Sequence, residues 1–298
     1  MEATNHRAYC VFARCALLAT RGLTFVVVLC GAVPPLQADP QRDINEFQQY
    51  FMQRFPGLSL DAYADGVRAL PGFLPSAAAN STFTLDRSSY ESDMESARSL
   101  WSQPLKSSET LRECFAKNPP ATKYPYYDNI GRQIRSVELD INECLADNGE
   151  EPIDDLMHGK IAMLAAAFKE QFNGQPMAVE VDDSGAIAAY ELGKHLYWAK
   201  RGQLNLSCAD CHVHNAGARL RGQMLSAGVG HGVGYPTYGL SWGEQDNLWG
   251  TLHRRYAQCN IQVNASPFAA QSESYRALEF YEAVMNTGVP IRAPSYPP

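Results

Sequence analysis

Positive charge is what this chain has least to spare. Its 298 residues carry 25 Lys+Arg against 32 Asp+Glu, a formal net charge of −7. Without residues 1–38, 22 basic side chains face 31 acidic ones, a balance of −9. That surplus excludes nucleic acid and anionic membrane as expected partners. Long apolar runs are also missing. The sustained one, Leu23 to Val33, is 11 residues, against the roughly 20 that a membrane-spanning helix needs. A second Cys-x-x-Cys pair is absent, which removes the matched ligand pairs of a structural zinc site. No βαβ pattern surrounds the pair that does occur, which removes a thioredoxin-like reading.

The segment that remains is Cys208-Ala209-Asp210-Cys211-His212. Cys-x-x-Cys-His is the attachment pattern of a c-type haem. Two thiols add across the porphyrin vinyl groups, and the adjacent histidine reaches the iron. One covalently bound haem c is therefore expected, on Cys208, Cys211 and His212.

The N-terminus reads as an export signal. Arg7, Arg14 and Arg21 precede and flank the apolar run, and Leu36-Gln37-Ala38 makes a plausible cleavage site. Cleavage near Ala38 would leave a periplasmic protein. Cys10, Cys15 and Cys30 would leave with the leader, and Leu29 is too bulky for a lipoprotein site at Cys30. Five cysteines remain: Cys114, Cys144, Cys208, Cys211 and Cys259. In an oxidising compartment two can pair beyond the haem thiols, and one is left over.

The remaining chain is written twice. Trp101 precedes Cys114 by 13 residues, and Trp198 precedes Cys211 by 13. Tyr124-Pro125-Tyr126-Tyr127 answers Tyr235-Pro236-Thr237-Tyr238. Cys144 and Cys259 follow these motifs by 17 and 21 residues. Each half closes on an apolar helical stretch ending in Gly-x-Pro, at Gly174-Gln175-Pro176 and Gly288-Val289-Pro290. Matches in the same order argue for two related domains, 39–176 and 177–298. Aligned on Cys114 and Cys211, Leu111 and Phe115 take the places of the first haem cysteine and the histidine. The first half cannot attach haem in the usual way. Its two cysteines, Cys114 and Cys144, are expected to form a disulfide. The fold expected is mainly α: two cytochrome c-like domains in tandem, the first degenerate and haem-free. Helices are expected over Glu91–Trp101, Asp154–Phe172, Glu191–Lys200 and Ser272–Met285. A linker or short hairpin is expected over Glu180–Ile187, and a loop over the haem at Gly228–Gly234.

For the second face of the iron the sequence offers His214, Met224, His231, His253 and Cys259. Methionine is the usual electron-transfer ligand, but Met224 lies only 12 residues beyond His212. Cys259 lies 47 residues beyond it, with His253, Arg254 and Arg255 close by. Positive neighbours depress a thiol pKa, so a thiolate is expected there. Lys194, Lys200, Arg201, Arg219 and Arg221 form a local basic excess, read either as a solvated face or as a funnel for an anion.

The export signal, the paired domains, Cys208-Ala209-Asp210-Cys211-His212 and Arg255-Tyr256-Ala257-Gln258-Cys259-Asn260 together resemble the SoxA family. These are the catalytic subunits of the SoxAX cytochromes of bacterial sulfur oxidation. The resemblance implies that Cys259 is the active-site cysteine, an axial haem ligand carried as a persulfide. It implies that Arg255 binds substrate, less certainly with Arg254, and that His212 is the proximal ligand. Some members hold a second haem in the first domain. Leu111 and Phe115 place this chain in the single-haem branch. The implied activity is that of an L-cysteine S-thiosulfotransferase, joining thiosulfate to a cysteine of the carrier SoxYZ. The implied partner is SoxX, a monohaem cytochrome c. The competing expectation is a plain periplasmic electron-transfer cytochrome with His231 or Met224 on the distal face.

Overall fold

The computed structural model describes residues 38–73, 77–239 and 248–295; almost all of the expected leader lies outside them. Helix α1, Pro40–Arg54, starts where Asp39 accepts from the Arg42 N–H at 3.0 Å and Pro40 enters the first turn. Its apolar face, Ile44, Phe47 and Phe51, is buried. Two short turns over Leu60–Ala69 follow, kinked at Gly66, and the Tyr63 hydroxyl donates to the Phe51 carbonyl at 2.9 Å.

Two series of elements follow. In the first half the series comprises α2 (Ala77–Leu100), α3 (Leu111–Phe115), a hairpin of β1 (Tyr126–Asp128) and β2 (Gln133–Arg135), α4 (Val137–Asp147) and α5 (Lys160–Glu170). In the second it comprises α6 (Ser184–Trp198), a wide turn over Asp210–His214, then α7 (Leu252–Gln262) and α8 (Glu273–Met285). This half carries two small antiparallel pairs, β3 (Arg219–Leu220) with β4 (Gln223–Met224) and β5 (Thr237–Tyr238) with β6 (Trp249–Gly250). Helices α4 and α7 are both 11 residues long, capped by Ser136 and Thr251, with Cys144 and Cys259 each at the eighth position. Helix α2 packs on α5, and α6 on α8. The two Gly-x-Pro segments pair with each other: Met177 N–H donates to Val289 O at 2.9 Å and Gly288 N–H to Met177 O at 2.8 Å.

The α6–α8 crossing is the closest approach between helices that a glycine permits. A Cβ on Gly193 would lie 2.0 Å from the Ala277 carbonyl oxygen. Trp198 Nε1 donates to the Tyr281 hydroxyl at 3.0 Å across the same crossing. Helix α1 lies on this pair. Tyr190 donates to Asp43 at 2.7 Å, Lys194 pairs with the same carboxylate, and Gln48 reaches the Met285 and Thr287 carbonyls at 3.1 and 2.8 Å. The N-terminal helix thus packs against the second half of the chain.

In the first half, Leu111 and Phe115 are buried. Phe115 meets Trp101 and Phe168 at ring-centroid distances of 4.8 Å each. Beside this apolar cluster Asp140 gathers Arg135, Tyr124, Tyr126 and Asn118. Cys114 and Cys144 form a disulfide across a sequence separation of 30 residues.

Three expected elements differ. Helix α2 begins at Ala77 rather than Glu91. Helix α5 begins at Lys160 rather than near Asp154. The Asp155 carboxylate accepts from the Met157 and His158 N–H groups at 2.9 and 3.0 Å, and Gly159 takes φ 58°. That turn holds the chain out of the helix until Gly159. Glu180–Ile187 forms no hairpin: Asp183 accepts from the Gly185 and Ala186 N–H groups at 2.7 and 2.9 Å and starts α6 there.

Candidate functional site

Ser207 and Asp210 open the Cys-x-x-Cys-His segment by capping each other. Asp210 Oδ2 accepts from the Ser207 N–H at 2.8 Å, and the Asp210 N–H donates to Ser207 Oγ at 3.0 Å. The chain then winds through the wide turn Asp210–His214, which carries Cys211 and His212. Among the described residues, Cys208, Cys211 and Cys259 are the cysteines outside disulfides, and all three are partly buried.

His212 is buried, with Nδ1 3.1 Å from the Ser226 carbonyl and 3.0 Å from its hydroxyl. A proton on Nδ1 directed at that carbonyl leaves Nε2 as the ligating atom, the usual way an axial histidine is oriented. Burial, with His231 alongside, lowers the His212 pKa well below its ordinary value. The ring is therefore neutral and can bind a metal. These features fit a covalent haem: two thiols, one oriented imidazole, and the buried rings of Tyr197 and Tyr256, which feel the charge of those thiols.

Cys259 sits in the third turn of α7. It is electrostatically coupled to Cys208 and Cys211, so the helix brings it to the haem-type segment. Arg255 lies one turn earlier on the same face, and the Cys259 sulfur is the first cause of its raised pKa. The reverse effect is smaller than expected. Burial pushes the Cys259 thiol up, Arg255 opposes it, and Glu282 adds to the rise. Arg255 is the basic neighbour whose charge opposes the rise at Cys259. Arg254 donates to the Trp249 carbonyl at 2.9 Å, and His253 Nε2 faces Glu279 at 3.1 Å. A helix turns successive side chains by about 100°, so adjacency in sequence did not bring them to the sulfur. The thiolate expected from positive neighbours alone thus depends on Arg255 and on whatever else the thiol binds.

His231 stacks on His212, ring centroids 4.4 Å apart and planes at 29°. Two axial imidazoles point nitrogens at one iron from opposite faces; rings lying face on face do not. Met224 sits on the small β3–β4 hairpin, paired with Arg219. The Gly228–Gly234 loop is covered rather than open. A Cβ on Gly230 would meet the Tyr63 carbonyl at 1.9 Å, and one on Gly228 the Tyr197 hydroxyl at 2.6 Å. The basic side chains near the haem segment are spent locally. Lys194 pairs with Asp43, Lys200 lies 3.7 Å from Asp210, and Arg201 covers the Phe268 ring at 3.9 Å. Arg219 reaches the Gly222 carbonyl at 3.3 Å.

Glu282 is the site residue that sequence reasoning missed. It is 3 % exposed, accepts from the Tyr256 hydroxyl at 2.7 Å and lies 3.4 Å from His231 Nδ1. Its charge acts on both Cys208 and Cys259. The available signal was a carboxylate inside an apolar helical stretch, Glu279-Phe280-Tyr281-Glu282-Ala283-Val284.

No family model matches the chain. Curated relatives do. It is 38 % identical over 261 residues to the L-cysteine S-thiosulfotransferase subunit SoxA of Chlorobaculum thiosulfatiphilum, covering 87 % of this chain and 88 % of that one. It is 37 % identical over 279 residues to the same subunit of Allochromatium vinosum, covering 91 % and 96 %. The crystal structure of SoxXA from P. pantotrophus superposes with a TM-score of 0.63 at 25 % identity, covering 74 % of this chain and 84 % of that one.

Proposed function

This chain belongs to the SoxA family of L-cysteine S-thiosulfotransferase subunits, and on that footing we propose that it joins thiosulfate to a cysteine of the carrier SoxYZ through Cys259. The observation that carries the reading is the placement of Cys259, whose charge acts on Cys208 and Cys211, with Arg255 one helical turn earlier acting on Cys259 and on His212. Cys208 and Cys211 would hold one haem c covalently. His212, through Nε2, and Cys259 would be the side chains that hold its iron. When bound, the haem supplies a one-electron acceptor.

The residues of the chain do the rest. Cys259 holds sulfur covalently, as thiolate or persulfide. Arg255 presents a planar fork of donors that suits the thiosulfate dianion. Burial of the site strengthens that attraction. Tyr235, whose hydroxyl burial pushes up to about 12 against the pull of Arg255, stays protonated and able to donate. In the overall reaction the carrier's S–H bond breaks and a bond forms between its sulfur and the outer sulfur of thiosulfate. Two electrons leave to haem acceptors and one proton is released. One haem takes one electron, so SoxX, with a haem of its own, is the proposed partner and second acceptor.

The remaining architecture follows the same reading. Residues 39–176 and 177–298 would be two cytochrome c-like domains, with α1 of the first lying on α6 and α8 of the second, and with the Cys114–Cys144 disulfide and the Phe115 cluster in place of haem in the first. Residues 1–38 are an export signal, and the mature protein works in the periplasm. Among the described residues no helix is long and apolar enough to cross a membrane.

Cys259→Ala tests the reading. Lost thiosulfate turnover together with an altered haem spectrum supports it. An unchanged spectrum means that Cys259 is not a ligand and that the protein is a plain electron-transfer cytochrome.

A further inference from the structure

No step of the sulfur chemistry above uses Glu282, yet this carboxylate is buried in an apolar stretch of α8. A buried carboxylate needs partners. The Tyr256 hydroxyl donates to its Oε2 at 2.7 Å. Its Oε1 lies 3.4 Å from His231 Nδ1. Both of those atoms are buried, and neither makes a regular hydrogen bond to any described residue. Buried polar atoms are almost always satisfied, and a carboxylate oxygen accepts. The Nδ1 proton of His231 therefore has Glu282 Oε1 to point at. The same helix face grips the His231 backbone. Asn286, one turn after Glu282, donates to the His231 carbonyl at 2.6 Å and accepts from the Gly230 N–H at 2.7 Å. Gly230 and Gly232 take φ 83° and 95°, which lets the loop turn this tightly around His231.

What the His231 ring covers gives its placement a consequence. It stacks on His212, with ring centroids 4.4 Å apart and planes at 29°. Ser226 holds His212 by one atom, with its carbonyl 3.1 Å and its hydroxyl 3.0 Å from Nδ1. Contacts at one atom locate that atom and leave the ring free to tilt about it. A flat neighbour against the ring face removes the tilt. Tyr256 stands three residues before Cys259 on α7. The contacts therefore run from the helix that bears Cys259, through Glu282 and His231, to the imidazole of His212.

We propose that Glu282 is a positioning residue for the haem: anchored by Tyr256, it holds His231 flat against His212 and so fixes the plane of the proximal imidazole. Partners behind a ligand orient it and tune the metal that it binds. The proposal rests on His212 as the haem ligand, as read above.

The test uses the haem-loaded protein in complex with its partner cytochrome, whose own haem signal is the unmoved reference. Electron paramagnetic resonance of the ferric complex reads the proximal ring, because the g values of a low-spin haem follow the plane of its axial imidazole. Glu282→Ala and His231→Ala should each broaden the signal of this chain's haem and move its outer g values. Glu282→Gln keeps the length of the side chain, with an oxygen for Tyr256 and an amide for His231, and should stay near the wild type. Since Glu282 acts through His231, Glu282→Ala should add no further shift in the His231→Ala background. Partners of this kind are worth about 10–100-fold, so both alanine variants should lower thiosulfate turnover by about tenfold. Wild-type g values in Glu282→Ala, shifts of the two alanine variants that simply add, or a Glu282→Gln signal moved as far as that of Glu282→Ala would overturn the proposal. Should Glu282→Ala not fold, Tyr256→Phe removes only the hydroxyl that anchors Glu282. It should move the same g values in the same direction, and an unmoved signal counts equally against the proposal. Pulsed measurement of imidazole-nitrogen couplings separates the two readings. A wild-type haem without such couplings sinks His212 as a ligand, whereas couplings present with g values unmoved in every variant sink the positioning role alone.

Discussion

Replacing Gly193 by alanine tests the helix crossing on which the site is built. The new methyl would sit 2.0 Å from the Ala277 carbonyl oxygen, 2.7 Å from its carbon and 2.7 Å from Tyr281 Cβ. Two of these atoms are backbone in the middle of α8, so the neighbour cannot swing aside. Overpacking of this kind costs about 1–3 kcal/mol, and backbone contact places it near the upper end. Alanine regains about 1 kcal/mol of helix propensity over glycine. The net expectation is a loss of about 2 kcal/mol, or roughly 30-fold in the folded-to-unfolded ratio. For a chain of this size that lowers Tm by about 4–8 °C. The assay is denaturant unfolding with the m-value compared, because an unchanged slope assigns the shift to the native state. A second readout is the haem spectrum, since α6 and α8 carry Tyr197 and Glu282, which lie against the site. Equal or higher stability in Gly193→Ala would refute the close approach of α6 and α8.

Three further outcomes are expected. Removing the disulfide by Cys114→Ala with Cys144→Ala should destabilise by about 3–4 kcal/mol in the chain-entropy model and leave the haem spectrum unchanged; a spectral change would show that the first half shapes the haem site. Arg255→Lys keeps the charge but loses the planar fork. A lost charged hydrogen bond of about 1.5–3 kcal/mol should lower kcat/KM for thiosulfate by roughly 10- to 100-fold, and an unchanged value would remove Arg255 from substrate binding. Burial, with the Asp140 charge beside it, pushes the Tyr126 hydroxyl up to about 12. The folded form then binds its proton more tightly than the unfolded form. Its stabilisation is full below the ordinary tyrosine value near 10 and is lost as pH rises through about 12. In an alkaline ultraviolet titration the late tyrosines beside Asp140 should shift to lower pH in Asp140→Asn, while late Tyr235 stays in place.

The sequence carried the order of the elements better than their limits. The two Gly-x-Pro endings pair with each other, but the two Trp–Cys spacings do not report one contact: Trp101 is buried on Phe115 and Phe168, whereas Trp198 is exposed and donates to Tyr281. Helices α4 and α7 were not foreseen. Their stretches, Val137–Asp147 and Leu252–Gln262, mix charged and apolar residues too evenly for a clear period, and their caps at Ser136 and Thr251 do the marking instead. Helix α1 reads as an ordinary amphipathic segment, and nothing in it says that it folds onto α6 and α8. The haem-type residues were legible because covalent attachment demands fixed spacing. Glu282 was not, because its meeting with Tyr256 and His231 depends on which faces α7 and α8 turn toward one loop. The basic residues beside Cys259 were misleading for the same reason: Arg255 shares its face, whereas Arg254 and His253 do not.

The central claim is covalent sulfur chemistry at Cys259 in a single-haem chain. Intact-mass measurement of the mature protein, before and after mild reduction, addresses it directly. The account predicts one haem plus an added sulfur of about 32 Da, lost on reduction and absent from Cys259→Ala. Cys259 that alkylates readily, carries no sulfur after exposure to thiosulfate and leaves the haem spectrum unmoved would contradict it.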